Sequence, residues 1–145
     1  MFPPVLRVLP GAMRIEISRR ALDAVVAHAQ AEAPRECCGL LVGHGSSVSE
    51  AVAARNIADR PTRFLVDPQD HIRTLRIARD RGLEVLGFYH SHPQTAAVPS
   101  VRDREEASYP DHLYLIASLA AGPADVRLFR LVDGNFLEVG FVTVD

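Results

Sequence analysis

Apolar residues recur along the chain in two rhythms. Between Ser18 and about Glu32, Leu22, Val25, Val26 and Ala29 follow helical spacing and predict a helix with one face on the core. Ser18 can cap its start and Pro34 stops it. A short strand, Met13 to Ile17, precedes it. Glu36 to Gly43 reads as a buried strand, closed by His44-Gly45-Ser46, and Val48 to Asn56 pairs back as a hairpin. Phe64 to Val66 is a further short strand. Asp67 as N-cap and Pro68 at the first helical position start a second helix, which Gly82 ends. Its spacing sets Ile72, Leu75 and Ala78 on one face and Arg73, Arg76 and Arg79 toward solvent.

Leu83 to Ser91 has almost no polar interruption, as expected of a central strand. A loop containing Pro93 and Pro99 leads to a short helix from Ser100 to about Ser108. Three strands complete the pattern: Leu113 to Ser118, Val126 to Val132, and Phe136 to Val144, with Gly134-Asn135 turning the final hairpin. Strands outnumber helices in a mixed order. This predicts a mixed α/β fold, a curved mixed sheet with helices packed on it.

Composition narrows the picture. The chain has 145 residues, of which 48% are hydrophobic, enough for one domain with one core. Residues 13–145 are assigned to that domain and 1–12 to an N-terminal arm interrupted by Pro3, Pro4 and Pro10. No apolar stretch has membrane-spanning length, and no basic n-region precedes the arm, so neither a membrane span nor a signal peptide is expected. A net charge of -2 gives no basic footprint for nucleic acid. Cys37 and Cys38 are neighbours whose side chains point apart on a strand, so they read as buried apolar residues in a reducing, cytoplasmic setting. The 16 basic residues are all arginine. The apolar arm from Phe2 to Leu9 is the segment available for a homodimer contact.

Candidate chemistry lies in His90-Ser91-His92-Pro93, Ser100 and Asp103. His90 and His92 stand at i and i+2 at the end of a strand, which sets their Cβ atoms on one face about 7 Å apart. Pro93 turns the chain out of the sheet, and Ser100 and Asp103 share one side of the following helix. Two histidines, one carboxylate and an open position describe a catalytic zinc site rather than a structural one. Taken singly, His-x-His is an ordinary pair, Ser100-x-x-Asp103 is a helix-capping pattern, and Glu36 is a strand-edge acid. His28, His44, His71 and His112 carry no metal-binding pattern.

In combination these residues resemble the JAMM (MPN-plus) motif: an upstream glutamate, then His-x-His-Pro, a spacer, Ser, two residues, and Asp. Glu36, His90-Ser91-His92-Pro93, Ser100 and Asp103 fit it without departure. Glu36 to Gly43, Phe64-Leu65-Val66-Asp67-Pro68 and Gly87-Phe88-Tyr89-His90 resemble the small bacterial, Mec-type branch. The resemblance covers Met13 to the end. It implies a deaminase-like fold, with the curved sheet between helices. It also implies His90, His92 and Asp103 as ligands to one catalytic Zn2+. Glu36 would hold the zinc-bound water, take its proton and pass it to the leaving amine. Ser100 would donate to the oxyanion, a contribution of about 3 kcal/mol.

The implied activity is hydrolysis of a peptide or isopeptide bond after the C-terminal Gly-Gly of a ubiquitin-like sulfur-carrier protein. It would either release cysteine or trim an extension. The tail is expected to lie near Phe64 and the segment from Gln94 to Val98. Four alternatives stand beside it. A non-catalytic scaffold usually lacks one or more ligands, all kept here. A RadC-type protein usually has Ser-Gly after the proline, where Gln94-Thr95 stands. An iron oxygenase also uses two histidines and a carboxylate. A broader deubiquitinase-like isopeptidase differs only in substrate.

Overall fold

The computed structural model describes residues 14–145. The arm assigned to residues 1–12, and Met13 at the start of the first strand, lie outside the described residues. Among the described residues eight strands and three helices follow in the order β1 Ile15–Ser18, α1 Arg19–Glu32, β2 Cys38–His44, β3 Ser47–Ala54, α2 Pro68–Asp80, β4 Glu84–His92, α3 Val101–Glu106, β5 Leu113–Ser118, β6 Asp125–Val132, β7 Asn135–Val139 and β8 Phe141–Val144. All strands join one mixed sheet in the order β7-β6-β5-β4-β2-β3-β1-β8.

That order fixes the shape. β7 and β8 occupy opposite ends of the sheet, yet only Gly140 separates them in the chain. Strands one residue apart cannot lie at the far margins of a flat eight-stranded sheet, so the sheet curls until its margins approach. Val139 and Phe141 accordingly pack against the same interior as Ile15, Val48 and Leu128. The single strand expected from Phe136 to Val144 is thus two strands with different partners: β7 pairs with β6, and β8 with β1.

The two faces carry two cores. On one, Ala21, Val25 and Ala29 of α1 pack against Ile17, Leu41, Tyr89 and Leu115. Ser18 caps α1 by accepting from the Ala21 amide at 3.0 Å. Gly39 lies under the Tyr89 ring, in space that any Cβ would fill. The Tyr89 hydroxyl shares a 2.8 Å hydrogen bond with His28 Nδ1. On the other face, Cys38, Leu40, Phe88, Ile116 and Phe129 pack with Ala97, Phe64 and Val66. Cys37 and Cys38 fall in different cores, as strand alternation requires.

α2 starts as expected, with Asp67 accepting from the Gln69 amide and Pro68 in the first turn. Its buried positions, however, are Thr74 and Ala78, while Ile72 and Leu75 are about half-exposed. The helix meets β2, β3 and β4, so of the stripe read from the spacing only Ala78 is on the packed face, and Thr74 joins it there. Three smaller corrections follow from the backbone. Phe64 to Val66 forms only one isolated bridge, Val66 to Asn56, instead of a strand. The β6–β7 turn is Asp133-Gly134, both at positive φ, in place of Gly134-Asn135. β2 begins at Cys38, so Glu36 precedes the strand on which it was expected.

Candidate active site

β4 is central, antiparallel to β2 and parallel to β5. His90 and His92 close it, both buried, on the face of Phe88. The chain then leaves the sheet and is held beside it. Ser118 donates to the Thr95 carbonyl at 2.6 Å, and Ala97 is fully buried. This returns α3 over the histidines. Ser100 and Asp103 form a reciprocal capping box: Ser100 Oγ accepts from the Asp103 amide at 3.0 Å, and Asp103 Oδ2 accepts from the Ser100 amide at 2.9 Å.

The same Asp103 Oδ2 lies 3.2 Å from His90 Nε2 and 3.1 Å from His92 Nε2, and the two Nε2 atoms are 3.2 Å apart. Three ligand atoms therefore form a nearly equilateral triangle. A tetrahedral zinc with bonds of about 2.0–2.1 Å separates its ligands by about 3.3–3.4 Å. The triangle has the dimensions of one face of that tetrahedron. Its donor chemistry fits as well. His92 Nδ1 is 2.8 Å from the Ala96 carbonyl. An N–H on Nδ1 donates there, leaving the Nε2 lone pair for an ion, the usual outer partner of a metal-binding histidine. This trio is the only such group among the described residues.

Electrostatics binds the trio together. Burial pushes His90 below its ordinary value, and Asp103 only partly opposes this. Burial also acts downward on His92, but the Asp103 hydrogen bond, the Ala96 carbonyl and nearby negative charge outweigh it and raise the imidazole. Burial acts upward on Asp103. Hydrogen bonds from both histidines and from the Ser100 amide prevail and hold its carboxyl well below the usual range.

Glu36 stands two residues before β2, the neighbour of β4 in the sheet. Its backbone is pinned on both sides: its N–H donates to the Pro61 carbonyl at 3.0 Å, and its carbonyl accepts from Asn56 Nδ2 at 3.0 Å. One residue on, the Cys37 amide donates to Ser91 Oγ at 2.8 Å, and the Ser91 amide returns a bond to the Cys37 carbonyl at 3.1 Å. Burial raises the Glu36 carboxyl to about 7, with His92 pulling it down and Asp103 pushing it up. That carboxyl is therefore within electrostatic reach of the trio and titrates near neutrality.

The structure brings together His90, His92 and Asp103, leaves the Glu36 carboxyl within electrostatic reach of His92 and Asp103, and sets Ser100 at the helix start beside Asp103. Phe64 lies near the site, where sequence reading expected a groove, and packs on His90. Ser91, Asn56 and the Ala96 carbonyl were not singled out from the sequence. Ser91 lies between the two histidines, buried, and its hydroxyl accepts from the Cys37 amide. Of the four histidines given no metal role, His28 meets Tyr89, His71 and His112 pack on Phe88, and His44 is 3.8 Å from Glu84.

Among the described residues no helix is long and apolar enough to cross a membrane. Residues 18–132 match the family described as prokaryotic homologs of the JAB domain. The chain is 37% identical over 112 residues to a desampylase of Haloferax volcanii, covering 72% of this chain and 81% of that protein. It is 34% identical over 132 residues to a CysO-cysteine peptidase of Mycobacterium bovis, covering 88% and 90%. Among solved structures, protein DSY2949 of Desulfitobacterium hafniense superposes with a TM-score of 0.83 at 30% identity, covering 90% of this chain and 93% of that one. A JAB1/MPN domain protein of Archaeoglobus fulgidus shares the fold, with a TM-score of 0.62 at 21% identity, covering 92% and 100%. With a curled mixed sheet, a His-His-Asp cluster and these relatives, the chain belongs to the prokaryotic JAB-domain family and is a peptidase of the JAMM type.

Proposed function

We propose that this enzyme hydrolyses the peptide or isopeptide bond that follows the C-terminal Gly-Gly of a ubiquitin-like sulfur-carrier protein. The observation that carries the chemistry is the triangle of His90, His92 and Asp103, with Glu36 beside it and its carboxyl raised to about 7. Zinc held by His90, His92 and Asp103 would supply a Lewis acid and acidify a coordinated water.

The chain's own residues do the rest. Glu36 accepts a proton from the attacking water and delivers it to the leaving amine, acting first as general base and then as general acid. Ser100 donates a hydrogen bond to the oxygen on which negative charge develops. Its capping role does not compete, because the cap uses an oxygen lone pair and leaves the hydroxyl proton free. Ala96, through His92 Nδ1, holds one ligand in the required tautomer. Cys37 and Cys38 are buried, and their thiols are pushed up to about 11 and about 12, so neither serves as a nucleophile.

The substrate assignment rests on the relatives, a desampylase and a CysO-cysteine peptidase, each matched over most of its length. Glycine at the end of the tail permits an extended backbone to pass close to the buried histidines. Intact-mass measurement tests the proposal on a ubiquitin-like sulfur carrier bearing one cysteine or a short extension after Gly-Gly. The zinc-loaded protein is expected to remove the added residues and Glu36→Gln to leave them. An intact carrier after prolonged incubation with a zinc-loaded wild type would remove this substrate class.

A further inference from the structure

Asn56 lies outside the motif, yet its side-chain amide is fully engaged. Nδ2 donates to the Glu36 carbonyl and to the Arg63 carbonyl, both at 3.0 Å. Oδ1 accepts from the Ala58 amide at 3.0 Å and from the Leu65 amide at 2.9 Å. Two donors and two lone pairs are all that an asparagine amide has, and none is left for water.

These four bonds tie together three parts of the site. Three of them close the loop between Asn56 and Val66, whose ends meet in an isolated bridge. That loop reaches the Glu36 amide through the Pro61 carbonyl, stacks Phe64 on His90, and pairs Arg63 with Glu106 of α3 at 3.0 Å. The fourth bond holds Glu36 itself, at a point where the β2–β4 ladder has ended and no strand neighbour takes its carbonyl.

We infer that Asn56 is a positioning residue for the reaction: its amide clasps the Glu36 peptide to the 56–66 loop and so aims the Glu36 carboxylate at the His90–His92–Asp103 group. It touches neither substrate nor ligand atoms and acts through Glu36. The inference rests on the peptidase reading above for its kinetic arm only.

Two substitutions divide the clasp. Asn56→Asp retains the oxygen that accepts from Ala58 and Leu65, keeping two of the three loop-closing bonds, and removes both donated bonds, to Glu36 and to Arg63. Asn56→Ala removes all four. Misplacement of a catalytic group by a fraction of a bond length is expected to lower kcat about 10- to 100-fold, with KM within about threefold. Zinc content should remain at the wild-type level, since no ligand is altered. A purely structural role would lower the melting temperature without that kcat-against-KM split.

Asn56→Asp with kcat within about twofold of wild type would overturn the inference. Should the wild type itself spare the sulfur-carrier substrate, the peptidase assignment fails while the clasp remains testable. The Glu36 carboxyl is then followed by NMR titration in metal-free wild type and metal-free Asn56→Ala. The expected result is a displaced midpoint in the variant, and an unchanged midpoint in a folded variant would overturn the clasp.

Discussion

Phe64 lies flat on His90, with ring centroids 4.3 Å apart and 19° between the planes. The phenyl ring covers one side of the imidazole and restricts its rotation. A ligand held in its bound orientation loses less freedom when the ion arrives. Phe64→Ala is expected to weaken zinc binding about tenfold, as loss of outer supports does elsewhere. Phe64→Leu keeps the apolar cover without the stacking and should fall between. Competition with a chelating dye measures both, and equal affinity in all three proteins would reduce Phe64 to packing.

Asp103 joins both histidines through one oxygen. Asp103→Asn keeps the size of the side chain but removes its charge and one anionic ligand. Zinc measured by elemental analysis should fall from one equivalent per chain to near zero after dialysis. Chelation of the wild type should lower its melting temperature, because an ion bound only by the folded state stabilises it, and should leave Asp103→Asn unmoved.

Glu36 gives the metal-free protein a pH signature. Burial raises its carboxyl from 4.5 to about 7. The folded state thus favours the protonated acid. Its contribution is complete below about pH 4.5, and it is lost as pH rises through about 7. With its partial exposure to solvent allowed for, the loss is about 1–2 kcal/mol. Denaturant unfolding of chelated wild type and chelated Glu36→Gln should show their stability difference changing over that window. Parallel curves would place the carboxyl in an ordinary environment.

Ser100 separates capping from chemistry in one substitution. Glycine is an acceptable N-cap, so Ser100→Gly should cost only a few tenths of a kcal/mol in stability. It also deletes the hydroxyl, and kcat is expected to fall about 10²–10³-fold, the range seen for one lost oxyanion donor. A variant with kcat near wild type would leave Ser100 as a cap alone.

Much of this site is local in sequence and was legible there. A strand ending in His-x-His-Pro and a capped helix beginning at Ser100 need only the periods of two and 3.6 residues. β5 runs from Leu113 to Ser118 as its apolar run indicated. What escaped was set by partners far away in the chain. Phe136 to Val144 reads as one strand because nothing local reveals that Phe141 pairs with Ile15. Glu36 stands outside β2 because the Cys37 amide takes the Ser91 hydroxyl, a bond across 54 positions. On α2 the spacing found Ala78, but Thr74 packs where Ile72 and Leu75 were expected, because the sheet admits small residues there, which helical spacing does not encode.

The one-residue passage from β7 to β8 also bears on the order of folding. β1 against β8, Ile15 beside Phe141, is the pairing of greatest sequence separation in the sheet. Such contacts carry the largest loop-closure cost and form late. During synthesis β1 emerges first, and its outer edge must wait for β8 to leave the ribosome. The segment from Glu36 to Ser118, which includes the β5 hydroxyl that holds the loop at Thr95, is complete before then. A nascent chain can therefore assemble its reactive cluster while the sheet is still an open ribbon, and closing that ribbon is the final step.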